Sequence, residues 1–181
     1  MLIGTLEEWQ AVTFKHDRIF KHNIMRINYT RYDVHRDEDI IHIGTGRRCN
    51  IMTLNPTYTS GHGAPGDSHM FCYARVLGIF HANVMYIGAG NTDYRARRLE
   101  ILWVRWYKLE SGNTAFSGLD RVSFLPVNDE CAFGFLDPGD VVRGCHVIPA
   151  FRHGKAREDG EPGLSHWAQD VVDWKSYFIN R

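Results

Sequence analysis

The chain has 181 residues, 44% of them hydrophobic and 13% aromatic, which is enough apolar matter for one packed domain and too much for wholesale disorder. Its 21 Lys and Arg are matched by 21 Asp and Glu, and this neutral balance argues against a dedicated duplex-DNA binder, whose phosphate contacts call for a basic surplus. No run is long and apolar enough to cross a bilayer, no basic-then-apolar leader opens the chain, and Cys49, Cys72, Cys131 and Cys145 form no CxxC pair. An intracellular protein with reduced thiols and no membrane contact is expected.

Residues 1–21 are short and mixed, and LEEWQAVTF suits either a helical turn or an edge strand, so this stretch reads as an N-terminal extension. From His22 the pattern alternates, with Met25, Ile27 and Tyr29 opposing Ile24, Arg26 and Asn28, which predicts a strand. A charged connection follows, with Ile40 to Ile43 ambiguous inside it, and then a short strand, CNIMTL, ended by Asn55 and Pro56. TYTSGHGAPGDSH, residues 57–69, is built of turn formers and reads as a loop.

Two runs then dominate the apolar content: FCYARVLGIFHANVMYI at 71–87 and RLEILWVRWYKL at 98–109. In the first, Ala74, Val76, Phe80, Ala82 and Val84 are assigned to the core face, with Gly78 marking a bulge. In the second, Leu102, Val104 and Trp106 oppose Ile101, Trp103, Arg105 and Tyr107. Both faces are largely apolar, so the strand is expected to be covered twice, with Trp174 to Ile179 as the outer cover of Ile101, Trp103 and Tyr107; failing that, this face is a binding surface. Further strands are predicted over 121–127, 132–136 and 144–148, with Asp137 capping a single turn begun by Pro138. Residues 151–166 read as a loop, and WKSYFIN as a terminal strand.

The pattern predicts a mostly β fold, a small antiparallel SH3-like or BAH-like barrel over residues 22–150 with long loops, and a C-terminal extension, 151–181, packed on the barrel; a sandwich is the alternative. Candidate chemistry is sparse. Cys145, His146, Cys131, His153, His62 and His69 lack the paired spacing of a zinc site. Ser123, Cys72 and Cys145 lie in no nucleophile motif. The GAGN and GTG loops complete no phosphate-binding pattern, and Asp37, Glu38 and Asp39 read as solvated loop charge. No catalytic residue, metal or cofactor is therefore assigned. Binding candidates are Tyr73, Trp103, Arg105 and Tyr107 as a cage or platform for a cationic tail, and Arg95, Arg97, Arg98 and Arg152 as basic clusters beside aromatics.

The segments INYTRYDVHRDEDIIHIGTGRRCNIMTL, FCYARVLGIFHANVMYIGAG, RRLEILWVRWY, GFLDPGDVVRGCHVIPAFRHG and DWKSYFIN resemble, in order and spacing, a recurrent region of basidiomycete transposon proteins of the Plavaka type, related to CACTA elements. The resemblance covers nearly the whole chain. It implies an accessory region downstream of a transposase core, carrying none of that core's catalytic acids, in a fungal nuclear protein; the stop at Arg181 is in keeping with a fragment. The function expected is a non-catalytic interaction module binding chromatin or another protein. A DNA-contacting accessory domain is the alternative, and a metal-dependent hydrolase a distant third.

Overall fold

A computed structural model describes residues 10–30, 36–43, 48–56, 69–90, 93–110, 119–157, 163 and 170–180. The described chain is mostly strand: β1 (Val12–His22), β2 (Ile24–Thr30), β3 (Arg36–His42), β4 (Asn50–Leu54), β5 (Phe71–Tyr86), β6 (Arg97–Leu109), β7 (Asp120–Phe124), β8 (Phe133–Leu136), β9 (Val141–Gly144), β10 (His146–Pro149) and β11 (Tyr177–Asn180). The expected small antiparallel barrel is present. Its strands run β10, β11, β7, β6, β5, β4, β9. Because β9 and β10 are successive pieces of one segment, the sheet nearly closes on itself at Cys145, whose N–H donates to the Asn50 carbonyl at 3.0 Å.

The β5 and β6 hairpin is the frame on which the rest is hung. β5 uses one edge twice, pairing residues 71–75 with β4 and residues 79–86 with β1. β6 does the same on its far edge, pairing 102–105 with β8 and 107–109 with β7. One half of the hairpin is thus built into the barrel, and the other half projects beyond it as a sheet of β1, β5, β6 and β8.

Gly78 decides which side chains face which way. The register slips between Val76 and Gly78, a bulge that reverses the in-out parity of everything after it. Ile79, not Phe80, therefore joins Ala74, Val76, Leu102 and Val104 in the first core, while Phe80 and Val84 turn to the other face, which corrects their assignment to one core face; Ala82 is fully buried, as expected. A Cβ on Gly78 would meet the Phe80 ring at 2.2 Å, so the glycine makes room for that ring to lie back over the bulge.

Two cores result. The first, outside the barrel wall, is closed by the β2 and β3 hairpin, whose Ile41 is buried against Ile51 and Val141 with Met25 and Ile27 packed beside it. Asp39 pins that hairpin to the wall by accepting the Gly144 N–H at 2.9 Å, so the acidic run 37–39 serves structure here as well as solvation. The second core is the barrel interior: Met52, Tyr73, Tyr107, Val122, Cys145, Tyr177 and Ile179.

The domain boundaries drawn from the sequence shift accordingly. Residues 12–22 are a strand of the main sheet, not an extension, because their alternation is interrupted by residues 15–18, where His16 and Asp17 take positive φ and the register jumps from Phe14 to Ile19. β11 is an integral barrel strand between β7 and β10, not a layer packed outside it. Asp137 caps as expected, its Oδ1 accepting the Gly139 N–H at 2.7 Å. The GTG loop and His62 lie outside the described residues.

Candidate functional site

Follow the odd-numbered face of β6 from the barrel outward. Tyr107 and Arg105 point into the barrel; Trp103, Ile101 and Leu99 follow on the same face, and Arg97 stands last. The inner part of this face is polar and largely buried. Arg75 and Arg105, paired directly across the strands, both donate to Asp173, at 2.8 and 2.6 Å. Tyr177 donates its hydroxyl to the same carboxylate at 3.2 Å. Their guanidinium carbons lie 4.4 and 4.0 Å from the centre of the Phe124 ring, a favourable placement over a π face, and Tyr107 stacks on Phe124 at 4.1 Å.

Two further interior hydroxyls find partners, Tyr73 donating to Asp120 at 2.6 Å and Tyr107 to Asn50 at 3.0 Å, while the buried Nε of Arg105 makes no hydrogen bond. Burial pushes the Tyr107 hydroxyl well above its usual value and Tyr177 to about 12, so both are neutral at pH 7. Burial works against the charge on Arg75, yet its ionisation is raised overall by Tyr107, Asp173 and Tyr177. With the tyrosines neutral, Asp173 is the partner that holds Arg75 charged.

The outer part of the same face is the reverse: apolar and open. Phe14 and Ile19 on β1, Phe80 on β5, Leu99, Ile101 and Trp103 on β6 and Phe135 on β8 line a groove of about 700 Å³, with Glu100 and Asp137 its charged members. Phe135 is 77% exposed and Ile19 60%, although β-sheet faces of this composition are usually covered. Such a contiguous patch on a protein surface marks an interaction site more often than chance.

The sequence-derived candidates separate on this frame. Tyr73 and Tyr107 are buried and cannot wall a surface cage. Arg105 is buried as well and committed to Asp173, so it is a structural cation. Trp103 alone of that group lines the groove. Arg95, Arg97 and Arg98 are exposed at the far end of the hairpin, Arg97 within 3.5 Å of Asp93 and Arg98 within 2.9 Å of Glu100. Arg152 sits in the 3₁₀ turn Phe151–His153 beyond β10, at the barrel end. The two basic clusters thus sit on separate elements, the start of β6 and the turn beyond β10, and no one strand carries both.

Missed by the sequence reading were Phe80, hidden by the parity change at Gly78, Phe14 and Ile19, hidden by the irregularity at residues 15–18 of β1, Leu99, and the Asp173 ion cluster. Two arginines inside otherwise apolar strands were its only signal.

Nucleophile and metal candidates gain little. Burial raises the Cys49 thiol and pushes Cys145 to about 12, the opposite of what a reactive thiolate needs. Cys145 is buried and His146 exposed. Among the described residues, no three His, Cys, Asp or Glu side chains converge as metal ligands would, and no helix is long and apolar enough to cross a membrane. Comparison with family models, with curated proteins and with solved structures returned no match.

Proposed function

We propose that this chain is a non-catalytic polypeptide-binding module of a fungal transposable-element protein of the Plavaka type, acting in the nucleus, and that the outer half of the β5 and β6 hairpin is its docking face. The groove carries the reading: seven large apolar side chains from four strands share one open face, on a rigid sheet, beside a barrel whose own interior is already filled. The motif order quoted above supports the transposon assignment. The raised thiols support a non-catalytic role.

The occupant is a segment of another protein with apolar residues followed by acidic ones. Arg97, paired with Asp93 at 3.5 Å, continues the Leu99, Ile101 and Trp103 row on the same face, with exposed Arg95 beyond it, so an acidic flank meets Arg95, and competes with Asp93 for Arg97, where the apolar lining ends. A protein partner is favoured over a methylated histone tail, because Tyr73 and Tyr107 are withdrawn into the barrel. The DNA alternative draws less support, since the basic clusters sit on separate elements and Arg98 is shared with Glu100.

Selection of the whole chain against a random displayed peptide library tests this. Enrichment of apolar sequences with acidic flanks is expected, with binding at least tenfold weaker in Leu99→Asp or Phe135→Asp and unchanged in Arg152→Ala. No enrichment, or peptides indifferent to the two groove substitutions, overturns it. So does a concentration-dependent dimer that the same substitutions dissolve, because the occupant is then a second copy.

A further inference from the structure

β1 is fastened to β5 in two separate pieces. Residues 12–14 pair with 84–86, residues 19–22 pair with 79–82, and the register jumps between them. The second piece is short. It is set between the irregularity at 15–18 and Asn23, whose carbonyl accepts the Ile43 N–H at 2.9 Å where the chain turns into the β2 and β3 hairpin. In so short a ladder the side-chain pairs across the strands carry much of the hold.

Two histidines close that piece. His81 lies directly opposite Phe20, whose ring covers it with centroids 4.7 Å apart and planes at 9°. His22 meets it edge on, with its Nε2 2.5 Å from the Nδ1 of His81. The two imidazole centres are 4.8 Å apart and their planes differ by 25°. That separation matches the nitrogen gap extended by the two ring radii, so the facing nitrogens lie close to the line of centres. The contact is therefore one shared proton, an N–H of one ring aimed at the lone pair of the other. Lone pairs that meet head-on suit a proton rather than a tetrahedral metal ion, whose ligands converge at an angle. Among the described residues around the pair, β2 and the turn after β8 bring uncharged Ile24, Met25 and Pro138, and β6 brings Arg98 and Glu100. Those two charges are paired with each other at 2.9 Å.

We infer that His22 and His81 form an acid-opened clasp, which holds residues 19–22 to β5 while the facing nitrogens share one proton and lets go when each carries its own. One added proton is tolerated, because an imidazolium still donates to a neutral partner and the Phe20 face accommodates its charge. A second places two cations head to head with no acceptor between them. In keeping with this, the His81 imidazole is held below its ordinary 6.5, by desolvation first and then by Arg98 and His22, with Glu100 opposing. An unfolded histidine protonates near pH 6.5, so the clasp is whole above that pH and its contribution falls as the pH drops below it. Ile19, one wall of the groove, belongs to the released stretch. A groove that grips its partner less firmly in acid is a consequence that rests on the docking reading; the clasp itself does not.

Backbone amide exchange of the whole chain at pH 7.5 and 5.0, corrected for intrinsic rates, tests the clasp with no partner present. Protection factors at residues 19–22 are expected to fall in acid at least threefold more than those at 12–14. The histidine Cε1–H signals are expected to titrate in coupled steps, and His22→Gln to move the lower step upward. His81→Phe keeps a ring beside Phe20 and removes the titration, so the extra acid loss at 19–22 should vanish, as it should in His22→Gln. Both positions are part-exposed, and unfolding midpoints near the parent's are expected at pH 7.5. Equal loss of protection in the two pieces of β1, a His81 titration indifferent to His22→Gln, or an acid loss that persists in either variant overturns the inference.

Discussion

The two halves of the β5 and β6 hairpin share a sheet face but solve opposite problems. In the barrel half that face carries Tyr73, Arg75, Arg105 and Tyr107, polar groups taken out of water and each given a partner. In the projecting half it carries Phe80, Leu99, Ile101 and Trp103, apolar groups left in contact with water. A chain seeking only stability would place them the other way round, since buried ion pairs return little beyond their desolvation cost while each buried large apolar side chain contributes about 1.5–3 kcal/mol. The inner half thus spends its burial on orientation, and the outer half withholds its apolar surface from the fold.

The most severe way to break this contrast is at Asp173. Replacing it by Ala removes the buried carboxylate that Arg75 and Arg105 share, and we expect a loss of about 3–5 kcal/mol, a large share of the stability of a typical domain. Urea unfolding with tryptophan fluorescence measures it; a loss below about 1 kcal/mol would mean that water reaches the cluster and the interior is not sealed.

The tyrosines give a gentler probe of the same half. Tyr177 is raised from 10.0 to about 12 by burial. Below pH 10 it is protonated in both folded and unfolded chains and contributes nothing to the pH dependence. Between pH 10 and 12 the unfolded chain loses the proton while the folded chain keeps it, so stability falls as pH rises, by about 3 kcal/mol for two units. Tyr177→Phe removes this titration and should flatten the alkaline limb of a stability-against-pH curve measured by urea unfolding, at the cost of the bond to Asp173. An unchanged limb would show that Tyr177 ionises freely in the folded state.

How far the sequence foretold this contrast depends on where along the hairpin one looks. Alternation in β2 and on β6 was readable because a simple period of two holds through both, and Asp137 announced its cap. The double-sided apolarity of β6 correctly implied cover on both faces at Tyr107. Beyond Gly78 the reading held for buried Ala82 but failed for Phe80 and Val84, because a bulge changes parity without changing composition: both look like core by count and lie on the groove face by register. β1 was obscured by residues 15–18, whose positive-φ pair breaks the alternation. The pairing of Arg75 with Asp173 spans 98 positions, and no local pattern carries information at that range.

The smallest expected effect is the one that separates the two halves most cleanly. Phe135 and Phe124 are both phenylalanines associated with β6, on β8 and β7, but Phe124 is enclosed by Tyr107, Tyr177 and two guanidinium groups, whereas Phe135 is 77% exposed. Phe135→Ser surrenders little buried area, so its unfolding free energy should stay within about 0.5 kcal/mol of the parent, as for ordinary surface positions. Its retention on a phenyl hydrophobic-interaction column should nevertheless fall, because the residue presents its ring to solvent at the edge of the groove. A loss above about 2 kcal/mol would mean instead that the ring supports the sheet, and the projecting half would then have to be read as a second, incompletely covered core.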